Sequence, residues 1–212
     1  AYADFCAWRE HNRSFESMYA WAVRGANLSL DGRAERVNAL VTTHDFFTVL
    51  GLRPVLGRCF TPEEDRPTGP KVVLLSTGLW ERMAGRNPAI LGQTLQLDGE
   101  YYTIIGVLPP AAAFPADVDL WRPLAEDPQR RGGWYLSGVG RLREGVTLAQ
   151  ARDDLTRIHK GLIPQSPSND ITTPTVQPLR DRYLRDYRQG ITILLGAVAF
   201  VLLIACCNVA SI

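Results

Sequence analysis

The stretch ITILLGAVAFVLLIACCNVASI, at residues 191–212, divides the chain into two parts of different character. It contains no Asp, Glu, Lys, Arg or His. As a helix, at ~1.5 Å per residue, it is about 33 Å long and can cross a hydrocarbon layer of ~30 Å. A buried core helix is the alternative, but such helices are usually shorter and carry a polar face. The pattern predicts the start of a transmembrane helix over residues 189–212, and because the apolar run continues to Ile212 we expect the chain to be part of a longer protein.

A mostly small set of residues recurs along the predicted span at spacings of three and four. These residues are Gly196, Ala199, Leu203, Cys206 and Ala210. Such spacings place them on one face of a helix, and small residues let a second helix approach closely within a membrane. We therefore predict that this face packs against another transmembrane helix.

Residues 1–188 have the composition of a water-exposed folded domain, with frequent charges and many Pro and Gly. The whole chain carries 23 basic and 22 acidic residues, a net charge of +1. Because nothing in this balance suggests a basic surface, no nucleic-acid partner is expected. Cys6 and Cys59 are the cysteines outside the apolar stretch. They could form a disulfide, but two unpaired, partly buried thiols are the favoured interpretation.

Local patterns predict strands and helices in mixed order, an α+β fold. The clearest signal is Asp98-Gly99, a type I′ turn between strands over 94–97 and 100–107. A second hairpin is predicted around Asp31-Gly32, and Thr43 is predicted to cap a short helix that ends at Gly51. Further predicted elements are a helix within 1–12, a strand over 71–75, a helix capped by Ser76, an irregular segment over 111–128, a strand over 135–142 and an amphipathic helix behind the Thr147/Gln150 capping box.

Candidate catalytic and metal-binding residues are few. His11, His44 and His159 lie in unrelated contexts without metal-ligand spacing, and no serine lies in a nucleophile motif. The acidic run 63–65 could bind a cation, but a predicted one-turn helix whose dipole favours carboxylates at its N-terminus is the preferred explanation. The chain also lacks a phosphate-binding loop of the G-x-x-x-x-G-K-[ST] type. We predict no catalytic, cofactor or metal-binding residues, and no nucleotide hydrolysis by this chain.

Four arginines precede the predicted span: Arg180, Arg182, Arg185 and Arg188. They could meet anionic lipid head groups, and the positive-inside rule would put this flank in the cytoplasm. Two aspartates reduce the net positive charge of this flank, however, and long domains cross membranes largely regardless of their charge. This cue to orientation is therefore weak.

Six stretches together resemble the MacB-like periplasmic core domain of ABC transporter permeases, the group that includes FtsX-like and lipoprotein-releasing permeases. They are DFCAWREHNRSFESM (4–18), ERVNALVTTHDFFTVLGLRPVLGRCFTPEED (35–65), VVLLSTGLWERMAGRNPAILGQTLQLDGEYYTIIGVLPP (72–110), DLWRPL (119–124), GRLREGVTLAQARDDL (140–155) and LLGAVAFVLLIACCNVASI (194–212). The resemblance covers nearly the whole chain in order. It is strongest to the multi-span permeases of acidobacterial type.

The resemblance implies a two-lobed periplasmic core domain over residues 1–188, followed by the transmembrane helix. One lobe is a porter-like βαβ module from about 1–65 and 134–188, and the other is an inserted β-rich lobe from about 66–133. The implied location is the bacterial inner membrane, with residues 1–188 in the periplasm.

The resemblance also implies a non-catalytic permease subunit that transmits ATP-driven motion to the periplasm for efflux, lipoprotein handling or envelope regulation. The implied partners are a cytoplasmic ABC ATPase, a permease dimer or fused second permease half, a periplasmic adaptor or lipoprotein cargo, and membrane lipid. No cofactor is expected. The main alternative function is a membrane-anchored extracytoplasmic sensor or binding domain, and a membrane-anchored enzyme is a further alternative.

Overall fold

The structure, a computed structural model, describes residues 1–30, 33–112, 118–129, 135–162, 174–182 and 193–198. Ala1–Pro174 form one compact unit and Thr175–Ile212 a second. The first unit mixes helices and strands, in agreement with the predicted α+β class. Its elements are α1 (Tyr2–His11), β1 (Phe15–Leu30), β2 (Arg33–Thr42), α2 (Phe46–Leu50), β3 (Leu56–Gly57), β4 (Val72–Ser76), α3 (Thr77–Ala84), a 3₁₀ turn (Pro88–Ile90), β5 (Thr94–Leu97), β6 (Glu100–Leu108), a second 3₁₀ turn (Pro110–Ala112), β7 (Leu120–Pro123), β8 (Ser137–Leu142) and α4 (Leu148–Leu162).

Six strands of the eight-stranded sheet close into a ring. The sheet runs in the order β2-β7-β4-β6-β5-β1-β8, and β1 also pairs with β2. Most neighbours are antiparallel, whereas β2 with β7 and β4 with β6 are parallel. The ring is completed where Leu28 pairs with Leu97 and Ser29 with Gln96. Its closure leaves few unpaired strand edges, which limits edge-to-edge association.

One apolar core is built from alternate residues of all six ring strands. Strand side chains alternate between two faces, so residues two apart along each strand share this core. Leu79 of α3 and Ile90 of the first 3₁₀ turn join it. The buried members are Ala26, Leu28, Val37, Ala39, Val73, Leu75, Leu79, Ile90, Leu95, Leu97, Tyr102, Ile104 and Leu120.

A second core contains the intervening residues of β2, β4 and β7. Leu40, Leu74 and Trp121 contribute to it from these strands. Helix α2 adds Phe46 and Phe47, whose rings form a T-shaped pair with centroids 5.2 Å apart. This is the edge-to-face geometry that aromatic rings prefer. With the two cores, strands β2, β4 and β7 bury apolar side chains on both faces.

The long strand β1 belongs to the ring and also to a layer with β8. Its first half pairs with β8 from Phe15↔Leu142 to Trp21↔Ser137, and its second half pairs with β2 from Trp21↔Thr42 onward. Helices α1 and α4 pack against each other beside this layer. Their buried residues are Tyr2, Phe5, Ala151, Leu155 and Ile158.

Several turns and caps confirm the sequence predictions. Asp98 and Gly99 have φ values of 48° and 87°, the left-handed geometry of a type I′ turn. The Ser76 hydroxyl accepts the Leu79 N–H at 3.0 Å, as a helix cap does. In the Thr147/Gln150 capping box the Gln150 side chain accepts the Thr147 N–H at 2.8 Å.

Three local predictions are wrong. Asp45, not Thr43, is the N-cap of α2, because the Thr43 hydroxyl instead accepts the Ala20 N–H at 3.2 Å. Residues 62–65 form turns rather than a helical turn. The segment predicted to be irregular, 111–128, contains strand β7, which pairs with β2 and β4.

In the second unit, residues 179–182 and 193–198 are helical. Within the described part of the chain, no helix is both long and apolar enough to span a membrane. Most of the predicted span, 189–212, lies outside the described residues, so the span stays a prediction.

The division of the domain into two lobes also stays a prediction. Strands from both predicted lobes belong to the same sheet: β1, β2 and β8 come from the porter-like segments, and β4 to β7 from the inserted segment.

Candidate functional site

One carboxylate in α4, the last described helix of the compact unit, holds the connection between α1 and β1. Asp154 of α4 accepts the backbone N–H groups of Arg13 and Ser14 at 2.7 and 3.2 Å, and the Ser14 hydroxyl at 3.0 Å. Arg13 and Ser14 form the connection between α1 and β1. Arg157, one turn later in α4, donates to Asp154 at 2.7 Å and to the His11 carbonyl of α1 at 3.3 Å. We call Asp154, Arg157, Arg13 and Ser14 the Asp154 joint.

The environment of Asp154 keeps its carboxylate charged. Burial raises the pKa of Asp154, but the hydrogen bonds from Arg13 N–H, Arg157 and Ser14 outweigh burial and bring the pKa below its usual range. The Asp154 side chain is 11% exposed. A shielded carboxylate with charge-assisted hydrogen bonds stabilises the contact between two elements more than a surface ion pair does.

Close packing accompanies the joint. The ring centroids of Trp8 in α1 and His159 in α4 lie 6.2 Å apart, and the two rings are tilted relative to each other. On β8, a Cβ atom at Gly140 would overlap the Phe15 ring and lie 3.1 Å from Met18 Cγ. Glycine at this position therefore lets β8 and the side chains of β1 approach closely.

A second polar group joins α1 to the ends of two parallel strands. Arg9 of α1 donates to Asp45 at 3.2 Å, and the Nε2 atom of His44 lies 3.3 Å from the other Asp45 oxygen. Asp65 accepts the His44 N–H at 3.0 Å and the Ala125 N–H at 3.0 Å. His44 follows β2 and Ala125 follows β7. We call Arg9, His44, Asp45, Asp65 and Ala125 the His44 cluster.

The acidic run 63–65 is occupied by hydrogen bonding. Glu64 accepts Arg58 and the Thr61 N–H, and Asp65 belongs to the His44 cluster. Since no helix forms here, the helix-dipole explanation is wrong. Among the described residues, no group of three or more His, Cys, Asp or Glu side chains is arranged to hold a metal ion.

Both described cysteines are free and partly buried, which confirms the favoured interpretation. Burial raises the pKa of the Cys6 thiol and of the Cys59 thiol. Both groups are therefore protonated thiols at neutral pH, the form that reacts poorly.

The predicted packing face of the span cannot be placed as a whole. Gly196 lies in the helical segment 193–198, whereas Ala199, Leu203, Cys206 and Ala210 lie outside the described residues. Arg180 and Arg182 are exposed, and Arg185 and Arg188 also lie outside the described residues. The packing face stays a prediction.

Sequence reasoning missed both the Asp154 joint and the His44 cluster. Asp154 carried a usable signal, because it lies three residues after Ala151 and four before Ile158, on the apolar face of the helix. A charged residue on such a face needs a fixed partner. His44 carried no comparable signal, since its partner Asp65 is 21 residues away in the sequence.

Comparison with known proteins identifies the family. The model of the MacB-like periplasmic core domain matches residues 2–158. A search of curated proteins finds no match. Solved structures with the same fold include the following three.

The first of these structures is the periplasmic region of MacB from Actinobacillus actinomycetemcomitans, with 20% identity, a TM-score of 0.59 and coverage of 76% of this chain and 72% of that chain. The second is the extracellular domain of the noncanonic ABC-type transporter YknZ from Gram-positive bacteria, with 16% identity, a TM-score of 0.57 and coverage of 74% and 79%. The third is a domain of a protein described as a permease from Porphyromonas gingivalis, with 18% identity, a TM-score of 0.60 and coverage of 85% and 83%.

The ring of strands with its flanking helices thus has the fold of these periplasmic and extracellular domains. The chain belongs to the family of MacB-like periplasmic core domains.

Proposed function

We propose that this chain transmits ATP-driven motion from a cytoplasmic ABC ATPase to the periplasm, as part of an inner-membrane permease subunit. Membership of the MacB-like family supports the pairing with an ATPase, because such permeases work with one. The motion serves efflux, lipoprotein handling or envelope regulation. The chain itself is non-catalytic in this proposal, and ATP is hydrolysed on the partner.

The observation that carries the proposal is the Asp154 joint. A domain can pass on motion only if its elements move together, and packed elements with hydrogen-bonded contacts do so. The joint fastens α4 to the start of β1 through hydrogen bonds of 2.7, 3.0 and 3.2 Å. Because β1 pairs with β2, β5 and β8, motion of α4 can pass through β1 to the ring.

The proposal includes the membrane elements. Residues 189–212 form the start of the second span, and Gly196, Ala199, Leu203, Cys206 and Ala210 face a neighbouring helix in a permease dimer or a fused second permease half. The two-lobed division of residues 1–188 is part of the same proposal. The proposed periplasmic contact is an adaptor or a lipoprotein cargo.

Hydrogen–deuterium exchange on the complete transporter tests the proposal. The chain, with its native flanking segments and its ATPase, is reconstituted in lipid nanodiscs and measured with and without ATP and vanadate. We compare the wild type, Asp154→Asn and the matched control Asp153→Asn, whose side chain is exposed on the same helix.

We expect nucleotide to change exchange within residues 1–162 of the wild type and of D153N. In D154N we expect ATP hydrolysis to persist while the change in residues 15–108 is lost. No nucleotide effect in the wild type would contradict motion transfer, and an effect of equal size in D154N would contradict the role of the joint. A response to a periplasmic ligand without any response to nucleotide would instead support a sensor or binding domain.

A further inference from the structure

Both ring nitrogens of His44 face carboxylate oxygens. Nδ1 lies 3.2 Å from Asp65 Oδ2, and Nε2 lies 3.3 Å from Asp45 Oδ1. A neutral imidazole carries one N–H and can donate to only one of them. The imidazolium donates to Asp65 and places its positive charge beside Asp45, so the geometry fits the protonated ring better than the neutral one.

The two carboxylates are held in place by other groups. The Asp65 side chain is 3% exposed, and its oxygens accept the backbone N–H groups of His44 and Ala125. The other Asp45 oxygen, Oδ2, accepts a hydrogen bond from Arg9 of α1. Ala125 has a φ of 46°, a left-handed conformation that is unfavourable for alanine and must be offset by its surroundings. The acceptors for His44 are therefore set before the ring is protonated.

Charge balance favours the same form. With a neutral imidazole, Arg9, Asp45 and Asp65 leave the cluster one negative charge in excess. Protonation of His44 brings the sum to zero. Because the cluster is partly shielded from water, an excess charge costs more there than on the open surface.

The described titratable groups near the cluster do not supply the positive charge that would balance it in place of His44. Tyr2 and Cys6 on α1 interact with Asp65, and burial raises the pKa of both, which keeps them neutral. Glu126, which follows Ala125, accepts the Tyr135 hydroxyl. Arg9, on the far side of Asp45, is a cation that also acts on His44.

The pKa of His44 follows from these contacts. The hydrogen bond to Asp65 raises the pKa most, burial lowers it, the charges of Asp45 and Asp65 raise it and Arg9 lowers it; the net result is a raised pKa. A histidine whose folded-state pKa is raised contributes stability that is fully present below its unfolded pKa of about 6.5. That contribution is lost as the pH rises through the folded-state pKa.

We propose that His44 is a pH-sensitive latch between α1 and the ends of β2 and β7. When protonated, His44 bridges Asp65, which holds the segment after β7, and Asp45, which holds Arg9 of α1. When deprotonated, one of the two ring contacts is lost and α1 is held less firmly. The latch is a property of the domain itself and does not depend on the proposed transport role.

Hydrogen–deuterium exchange of the 212-residue chain in detergent micelles at pH 5.5 and pH 8.5 tests the latch. Rates are corrected for the intrinsic effect of pH on amide exchange. The reporters are the amides of α1 and the Ala125 amide, which bonds directly to Asp65. We compare the wild type, His44→Gln, Asp45→Asn and the control His11→Gln, which alters an exposed histidine on α1.

In the wild type and in H11Q we expect the reporters to open more readily at pH 8.5, by about two- to fivefold, the range of a partly exposed ion pair. In H44Q this pH dependence should disappear, and in D45N, which keeps the His44–Asp65 contact, it should disappear from the α1 amides. The proposal is overturned if H44Q and D45N keep the wild-type pH dependence, or if the wild type shows none. Because Asp45 is partly exposed and lies outside the core, D45N remains informative if H44Q fails to fold.

Discussion

The carboxylate of Glu64 receives two hydrogen bonds from the guanidinium of Arg58, at 2.6 and 2.8 Å. Glu64 also accepts the Thr61 N–H at 2.8 Å and is 5% exposed. Burial raises the pKa of Glu64, but these hydrogen bonds outweigh it and the pKa is lowered. The pair thus fixes the turn that carries Asp65 into the His44 cluster.

Replacing Glu64 with alanine should destabilise the domain. The substitution leaves the Thr61 N–H without its acceptor, and we expect a loss of about 2 kcal/mol in the free energy of unfolding. The matched control is Glu63→Ala, because Glu63 is exposed, and it should change stability much less. Urea denaturation followed by tryptophan fluorescence gives both values. Equal effects of the two substitutions would show that the Arg58 pair does not stabilise the turn.

Gly57 should be intolerant of a side chain. It has a φ of 75°, and a Cβ there would lie 2.8 Å from Gly106 Cα and would overlap the Ile105 carbonyl. Gly145 has a φ of 78° with open space around it. Gly145→Ala should therefore cost about 1 to 2 kcal/mol, from backbone conformation alone. Gly57→Ala should cost at least about 2 kcal/mol more, since β3 must move away from β6. Thermal unfolding of the two variants provides the comparison.

The tip of the β5–β6 hairpin should contribute to closing the ring. Asp98 accepts the backbone N–H of Asn27 at 2.9 Å and its side-chain amide at 3.1 Å. Asp98→Ala should cost about 1 to 2 kcal/mol and increase amide exchange in β5. Asp98→Asn retains an acceptor and tolerates the left-handed conformation, so it should cost less. If both variants exchange alike, the side chain of Asp98 has no part in ring closure.

Acid should weaken the Asp154 joint. A carboxyl group whose folded-state pKa is lowered contributes stability above its unfolded pKa, and this contribution is lost as the pH falls through the folded-state value. The unfolded pKa of aspartate is about 3.9. The wild type should therefore lose stability progressively below about pH 4, and Asp154→Asn should lose less over the same range. Midpoints of thermal unfolding from pH 5 to pH 2.5 measure this, with Asp153→Asn expected to follow the wild type.

The predicted packing face of the span can be tested in membranes. Gly196→Leu and Ala199→Leu enlarge two of its small residues and should weaken helix association, because the backbones can no longer approach closely. Val198→Leu changes a neighbouring residue outside this set and serves as the control. A membrane two-hybrid reporter of helix association should fall for the first two variants alone. Unchanged association in all three would place the contact on another face.

Turns and helix caps that depend on residues close together in the sequence were predictable from it. The type I′ turn at Asp98, the cap at Ser76 and the capping box at Thr147 depend on residues within three positions of one another. Their chemistry is local, so the sequence identifies it without knowledge of the fold. The amphipathic helix α4 was predictable for the same reason.

Features that depend on distant partners were not predictable. The strand β7 has four residues and ends in proline, and it forms because β2 and β4 lie on either side of it. Thr43 looks like a helix cap, but its hydroxyl is taken by Ala20, 23 residues earlier. The two polar clusters likewise join residues from separate segments. Periodicity contains no information about such pairings.

Because β1 is shared along its length, a cut that separates β8 from the ring leaves neither piece complete. A fragment that keeps β1 with β8 removes the partners of its second half, and a fragment that keeps the ring removes those of its first half. Either fragment exposes backbone N–H and C=O groups that the intact domain pairs. Attempts to express one half alone should therefore yield aggregation-prone material.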